Sequence, residues 1–213
     1  MRKIITSLLL AFFVASAAQA ADETFNIQTI DGKMLRFKGI PEGLITEPYQ
    51  GKIVFIEFWG TWCGPCLLSI PHHVKLQEKY KDQLRIISFE TTPSVTREQL
   101  KEYVKDPKNI DMKRVQWYLD NKAKTAAQKK SLEEPVHTLE AFRAAGKPIN
   151  YDVVASADAG QFVDYIAQRA GWQGYIPFLL VLDGDGKAAA MVPGMPSEEK
   201  LDNIIQSILK QKK

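Results

Sequence analysis

The only two cysteines of this 213-residue sequence, Cys63 and Cys66, stand in one short motif, Trp-Cys-Gly-Pro-Cys at residues 62–66. The motif follows residues 52–59, a nearly continuous run of β-branched and aromatic residues. It is followed by residues 65–80, in which apolar residues recur at spacings of three and four. This order predicts a strand buried on both faces, a turn that carries the first thiol, and a helix that begins beside the second.

Thiols at the start of a helix are suited to thiol–disulfide exchange. The positive end of the helix macrodipole and the unpaired backbone N–H groups favour the thiolate of Cys63 over its thiol. We expect Cys63 to be exposed and to attack a substrate disulfide, and Cys66, about one helical turn further on, to resolve the mixed disulfide. Gly64 permits a close approach at this point, and Pro65 suits a first helical turn because its missing N–H would have no partner there.

The two cysteines have two other interpretations, an inert structural disulfide and half of a zinc site. A disulfide that closes so short a loop restrains the unfolded chain little. Zinc would need further ligands, and the nearby candidates are His72 and His73. In an intact helix, Cys63 and His72 would be about 13 Å apart, whereas zinc ligands lie about 2 Å from the ion. Redox chemistry is therefore favoured, and no metal site is predicted.

Residues 1–20 have the three parts of a secretory signal peptide: a basic start, a short apolar run and small residues before Ala21. An uncleaved membrane anchor is the alternative, but the apolar run falls short of the roughly 20 residues needed to span a bilayer. We therefore predict a mature protein of residues 21–213 that is exported to the periplasm and is not inserted in the membrane after cleavage.

The composition is that of a globular protein, with 45% hydrophobic and 25% charged residues and a net charge of +3. That near balance argues against a nucleic-acid partner. Residues 93–131 depart from this charge balance, because they carry ten basic and five acidic residues. The same stretch contains two polar segments predicted to be helical, 96–105 and 111–130. We interpret this stretch as a helical insertion whose charges form either a solvated face or a docking surface for a partner.

The remaining pattern predicts a mixed β-sheet flanked by helices. Two half-apolar runs around Asp31-Gly32 predict an N-terminal β-hairpin at residues 25–40. Further strands are predicted at residues 84–89, 151–155, 176–182 and 188–192, and further helices at residues 136–145, 159–170 and from Ser197 onward. The alternation of strands and helices is typical of an α/β fold.

Two blocks, FIEFWGTWCGPC at residues 55–66 and GYIPFLLVLDGDGK at residues 174–187, resemble the thioredoxin superfamily. More narrowly, they are similar to exported thiol:disulfide oxidoreductases of the TlpA/ResA type. The resemblance covers most of residues 25–92 and 132–213. It implies a thioredoxin-like fold with an N-terminal β-hairpin and an inserted helical segment.

The resemblance also implies a substrate-binding region. Ile176-Pro177 corresponds to the family's cis-proline bond, which packs beside the two cysteines. Backbone groups of Ile176 would then pair with an extended substrate segment. Trp62, Trp172 and Tyr175 are candidates for an apolar rim around the site, although core packing explains Trp172 equally well.

Glu57, six residues before Cys63, is the third candidate catalytic residue, because thioredoxins carry a buried acid at this place. We expect it to accept the proton of Cys66 during resolution. The alternative is a strand-end carboxylate paired with a lysine. Many TlpA-type proteins have a glutamate three residues after the second cysteine, where this chain has Ser69, so the detailed mechanism of that subfamily does not transfer directly.

The predicted function is that of a dithiol reductant of protein disulfides, with no cofactor beyond the Cys63–Cys66 pair. Neither Gly64 nor Pro65 offers a charge or a side-chain donor that would further stabilise the thiolate, which favours a low potential. The resemblance implies cytochrome c maturation as a role and an inner-membrane thiol protein as electron donor. A periplasmic oxidase or isomerase, or a metal-binding module without enzymatic activity, are the alternatives.

Overall fold

The computed structural model describes residues 23–211, and the predicted signal peptide lies outside them. A small antiparallel sheet opens this part of the chain, formed by β1 (Thr24–Gln28), β2 (Met34–Ile40) and β3 (Gly43–Glu47). Gly32 turns the first two strands with a φ of 88°, as the predicted hairpin requires. The third strand was not predicted.

A five-stranded mixed sheet forms the centre of the fold. Its strands are β4 (Ile53–Trp59), β5 (Leu84–Glu90), β6 (Asp152–Val154), β7 (Phe178–Leu182) and β8 (Ala188–Pro193), in the order β6-β5-β4-β7-β8. β4, β5 and β6 are parallel, whereas β7 is antiparallel to β4 and to β8. All seven residues of β4 are buried, because the strand lies between two others and both of its faces are covered.

The described residues form six α-helices. They are α1 (Gly64–Lys79), α2 (Arg97–Lys105), α3 (Met112–Lys122), α4 (Ala126–Ala145), α5 (Gly160–Ala170) and α6 (Glu198–Gln211). One face of the central sheet packs against α5 and the small sheet, and its other face packs against α1, α6 and the helices between β5 and β6. Within residues 23–211, no helix is both long enough and apolar enough to cross a membrane.

The segment between β5 and β6 contains three α-helices, as many as predicted, but two of them have different bounds. The predicted bounds were 96–105, 111–130 and 136–145. The predicted helix at 96–105 is present as α2, and Thr96 and Gln99 form its capping box. The predicted helix at 111–130 is instead divided, because Thr125 and Gln128 form a second capping box that begins α4. α4 then continues to Ala145, so the proposed end of the insertion at residue 131 falls inside a helix.

The predicted helix at residues 159–170 is present as α5, which starts one residue later than predicted. The helix begins at Gly160, and no side chain caps it. Asp158, one residue before its N-cap, accepts a hydrogen bond from the Arg97 guanidinium at 2.7 Å instead. This ion pair joins α2 to the segment before α5.

Candidate active site

Cys63 and Cys66 form a disulfide at the start of α1. The sulfurs are 2.04 Å apart and the two Cα atoms are 5.2 Å apart. Cys63 is the N-cap residue of the helix, and the Cys66 N–H donates a hydrogen bond to Cys63 Sγ at 3.3 Å. The same amide is placed to stabilise a thiolate on Cys63 once the bond is reduced. The strand, turn and helix thus place the two sulfurs together as the sequence predicted.

The expectation that Cys63 is exposed is wrong for this oxidised form, in which the residue is only 4% exposed. Helix α3 packs beside Cys63, because Val115 belongs to the buried cluster that contains both cysteines and Tyr118 packs against that cluster. A Cβ atom on Gly64 would lie 2.5 Å from Tyr118 Cβ and 3.0 Å from the carbonyl oxygen of Arg114. The backbone of α3 therefore approaches Gly64 so closely that only glycine fits there. The sequence did not indicate this contact, because it joins segments that are far apart in the chain.

Trp62 and Ile176 converge on Gly60, whose carbonyl accepts a hydrogen bond from the Cys63 N–H at 3.0 Å. A Cβ atom on Gly60 would lie 3.0 Å from Trp62 Nε1 and 3.1 Å from Ile176 Cδ1. Trp62 Nε1 donates a hydrogen bond to Thr92 Oγ1 at 3.0 Å, while the residue remains 52% exposed. Ile176 also packs against the cluster that contains both cysteines. The structure therefore brings together two of the residues predicted to bind substrate.

The peptide bond between Ile176 and Pro177 is cis, in agreement with the resemblance. Next to it, Tyr175 is 77% exposed. Trp172 is only 9% exposed, and its ring stacks on Phe58 with the centroids 4.4 Å apart. Its Nε1 donates to the Tyr175 carbonyl at 2.7 Å. Trp172 is thus a core residue that supports this loop, and Tyr175 is the aromatic residue available at the rim.

Glu57 is buried in the middle of β4, and within residues 23–211 its side-chain partner is a histidine rather than a lysine. Its Oε2 lies 3.2 Å from Nδ1 of His73, and the side chains of the two residues are 4% and 3% exposed. His73 lies on α1, the helix that carries Cys66. His73 was predicted only to lie on this helix, although a residue seven positions after Cys66 lies on the same helical face as Cys66. Its contact with Glu57 was missed.

Tyr151 completes this buried group. Its ring meets the imidazole of His73 edge to face, with the centroids 6.1 Å apart. Burial, and secondarily the charges of Glu57 and Tyr103, raise the pKa of Tyr151 well above its ordinary value of 10.0. The phenol of Tyr151 therefore remains protonated at neutral pH.

Glu90 is a buried acid beside the active-site loop that sequence reasoning missed. It is fully buried at the end of β5. Its carboxylate accepts hydrogen bonds from the backbone N–H groups of Thr92 at 2.7 Å and Thr61 at 3.4 Å. Burial raises the pKa of Glu90 above its ordinary value, and these hydrogen bonds oppose the shift. A signal existed, since the ends of parallel strands meet at one edge of a sheet and the Cys63 loop follows β4 there.

No group of three His, Cys, Asp or Glu side chains able to hold a metal ion occurs in the described part of the chain. His72 is buried next to His73, and burial lowers its pKa from the ordinary value, although the charges of Glu198 and Glu134 oppose this.

Comparison with known proteins identifies the class of fold. The thioredoxin family profile matches residues 45–103, which contain β4, the two cysteines and α1. The solution structure of a putative thioredoxin from Neisseria meningitidis covers 89% of this chain and 90% of its own, with a TM-score of 0.53 and 17% sequence identity. A thiol:disulfide interchange protein from Chlorobium tepidum TLS gives the same TM-score, with 18% identity and coverage of 89% and 95%. The described residues thus have a thioredoxin-like fold.

Curated relatives narrow the assignment. The thiol-disulfide oxidoreductase ResA of Bacillus thuringiensis subsp. konkukian is 33% identical over 91 residues, which are 41% of this chain and 47% of ResA. The thioredoxin-like protein YneN of Bacillus subtilis is 32% identical over 79 residues, 37% of this chain and 40% of YneN. The match thus spans less than half the length of these relatives. Residues 45–103 of this chain are therefore similar to the thioredoxin family, and the chain resembles the ResA-type oxidoreductases over less than half of their length, as the sequence motifs indicated.

Proposed function

We propose that this protein is an exported thiol–disulfide oxidoreductase that acts as a dithiol reductant of protein disulfides. The observation that carries the proposal is the Cys63–Cys66 disulfide at the N-terminus of α1, beside Trp62 and the cis bond at Ile176-Pro177. Such a pair of cysteines can exchange two electrons with another disulfide without any other cofactor.

The reaction has two exchanges. The Cys63 thiolate attacks one sulfur of the substrate disulfide; that S–S bond breaks, a mixed disulfide forms, and the other substrate sulfur leaves as a thiolate that takes up a proton. Cys66 then loses its proton and attacks Cys63 Sγ, which releases the second substrate thiolate and forms the intramolecular disulfide. Two electrons have passed to the substrate, and a dithiol carrier protein must return them.

Glu57 is proposed to accept the proton of Cys66 in the second exchange. It is buried on the face of β4 that packs against α1, the helix that carries Cys66. A buried carboxylate there is costly unless it is partnered or used, and His73 is the partner in the oxidised form. We assign the substrate-binding role to Trp62 and to the backbone beside Pro177, where an extended segment would add as a strand.

The direction of electron flow is tested by the reduction potential. Gly64 and Pro65 carry no group that would favour the reduced protein, so we expect a value near that of thioredoxin, about −270 mV, rather than that of DsbA, about −120 mV. Equilibration with glutathione and dithiothreitol buffers measures it. A value near −120 mV would instead favour the oxidase or isomerase alternative.

The cellular role is tested by trapping. A Cys66→Ser variant expressed with its own first 20 residues should accumulate mixed disulfides on Cys63 in the periplasm, because the resolving sulfur is absent. Apocytochromes c among the trapped proteins would support the maturation role. The donor needs a separate trap, because the Cys66→Ser variant cannot form the Cys63–Cys66 disulfide that the donor reduces. Capture of many unrelated proteins would favour general disulfide repair, and absence from the periplasm would refute the export prediction.

The metal-binding alternative makes a different prediction. A module whose dithiol holds a metal would retain the ion in stoichiometric amount after reduction and purification, and it would not reduce insulin. We expect the reduced protein to be free of metal and to reduce insulin.

A further inference from the structure

Helix α3 lies directly against the redox motif. Tyr118 and the backbone of Arg114 contact Gly64 so tightly that a methyl group there would overlap Tyr118. Val115 belongs to the buried hydrophobic cluster that contains Cys63 and Cys66, and Tyr118 packs against that cluster. The residue next to the attacking cysteine is therefore covered by a helix from the segment between β5 and β6.

The residues near the cis-proline bond are more exposed to solvent than Gly64, which α3 covers. Trp62 and Tyr175 there are 52% and 77% exposed. Trp62 is held by its hydrogen bond to Thr92, and its ring lies with Ile176 over Gly60. Large apolar side chains in such open positions are typical of a surface that another chain covers.

We propose that α3, through Tyr118, determines which cysteines can reach Cys63: it admits one carried on a flexible, extended segment and excludes one held flat on a folded surface. This inference rests on the proposed exchange activity. The reason is steric, since Cys63 is 4% exposed and α3 stands on its Gly64 side. An extended segment, whose neighbouring strand needs only about 4.8 Å of width, can enter along Trp62 and Ile176.

The charge of the segment that contains α3 is consistent with a protein substrate. Residues 93–131 carry a net charge of +5, and Lys113 and Arg114 are both exposed on α3. Arg114 is only loosely paired, with its Nε 3.8 Å from Asp111. Exposed basic groups on the helix that covers Gly64 would accelerate encounter with acidic segments.

The test compares one reacting group on two carriers. A cysteine–thionitrobenzoate mixed disulfide is placed on a flexible ten-residue peptide and on the flat surface of a folded protein. Thionitrobenzoate is the better leaving group, so Cys63 attacks the cysteine sulfur of both probes and the released dye reports the rate. The reduced full-length mature protein is used throughout.

We expect the wild-type protein to react with the peptide at least about tenfold faster than with the folded protein. Tyr118→Ala should raise the rate with the folded protein about tenfold and change the rate with the peptide little. A tenfold change in rate corresponds to a change of about 1.4 kcal/mol in the activation barrier. Tyr118→Phe keeps the ring and should behave as wild type. Trp117→Ala removes an exposed ring from the same helix that is not among the atoms nearest Gly64, and it should leave the ratio of the two rates unchanged.

Tyr118→Leu provides a second opening variant if the alanine variant fails to fold, since it retains apolar packing without the ring. Equal rates with both probes in the wild-type protein, or a ratio that neither opening variant changes, would overturn the role of α3 and leave the exchange activity standing. Absence of dye release by the wild-type protein with either probe would instead refute the exchange activity itself.

Discussion

The Glu57 carboxylate and the His73 imidazole lie 3.2 Å apart between the central strand and the helix that carries Cys66, and both side chains are almost inaccessible to solvent. An acid in this setting is either a structural partner of the histidine or a proton acceptor. Kinetics and stability measurements distinguish the two roles.

Replacement of Glu57 by glutamine should slow resolution of the mixed disulfide and leave its formation nearly unchanged. Positioned proton acceptors typically contribute at least about 100-fold, so we expect a loss of that order in the rate at which Cys66 displaces substrate from Cys63. Rapid-quench separation of the mixed disulfide measures this step. Glu78→Gln, which alters an exposed acid of α1, is the control. Equal resolution rates in both variants would assign Glu57 a structural role only.

Removal of the histidine should destabilise the fold. His73→Ala leaves the buried Glu57 carboxylate without its partner and creates a cavity, which together should lower the free energy of unfolding by about 2–4 kcal/mol. His137→Ala is the matched control, because the His137 side chain is 78% exposed and its contact with Glu140 contributes little. Urea denaturation of both variants measures the difference. If His73→Ala lowered the free energy of unfolding no more than His137→Ala does, the stabilising role of the buried Glu57–His73 pair would be contradicted.

Gly64 should resist substitution by alanine because of α3 rather than because of backbone conformation. Alanine in a helix is ordinarily favourable by up to about 1 kcal/mol over glycine, but its methyl group would overlap Tyr118, so we expect a net loss of about 1–3 kcal/mol. Gly160→Ala, in α5, meets no atom within 4 Å and should be neutral or stabilising. Thermal and urea unfolding give the comparison. A stabilised Gly64→Ala variant would show that α3 does not pack on the motif in solution.

Glu90 should make stability depend on pH. Because burial raises the pKa of Glu90 above its ordinary value of 4.5, the folded state binds the proton more tightly than the unfolded state. The contribution of Glu90 to the free energy of unfolding is therefore most favourable below pH 4.5. This contribution is lost as the pH rises from 4.5 through the raised pKa of the folded state. The difference in unfolding free energy between wild type and Glu90→Gln should shift against the wild type across that window, by at most about 1.4 kcal/mol per pH unit. A difference independent of pH would contradict the raised pKa.

The local features of the site could be read from the sequence because they depend on neighbours in the chain. The buried run of β4, the turn at Cys63 and the start of α1 at Gly64 all follow from apolar spacing and from the preferences of Pro65. The pairing of Cys63 with Cys66 follows from a separation of one helical turn. Even so, the division of residues 111–130 into two helices was missed, because a Thr125 capping box is a weaker signal than a proline or glycine.

The contacts that decide how the site is used come from residues distant in the sequence. That Tyr118 covers Gly64, that His73 meets Glu57 and that Glu90 supports the backbone of Thr61 depend on how helices and strands pack, and no spacing along the chain encodes such packing directly. The sequence by itself therefore determined which atoms can react, since reactivity is a property of residue type and local backbone. Only the tertiary structure decided that the first sulfur is covered in the disulfide form, because solvent access depends on everything that packs around an atom.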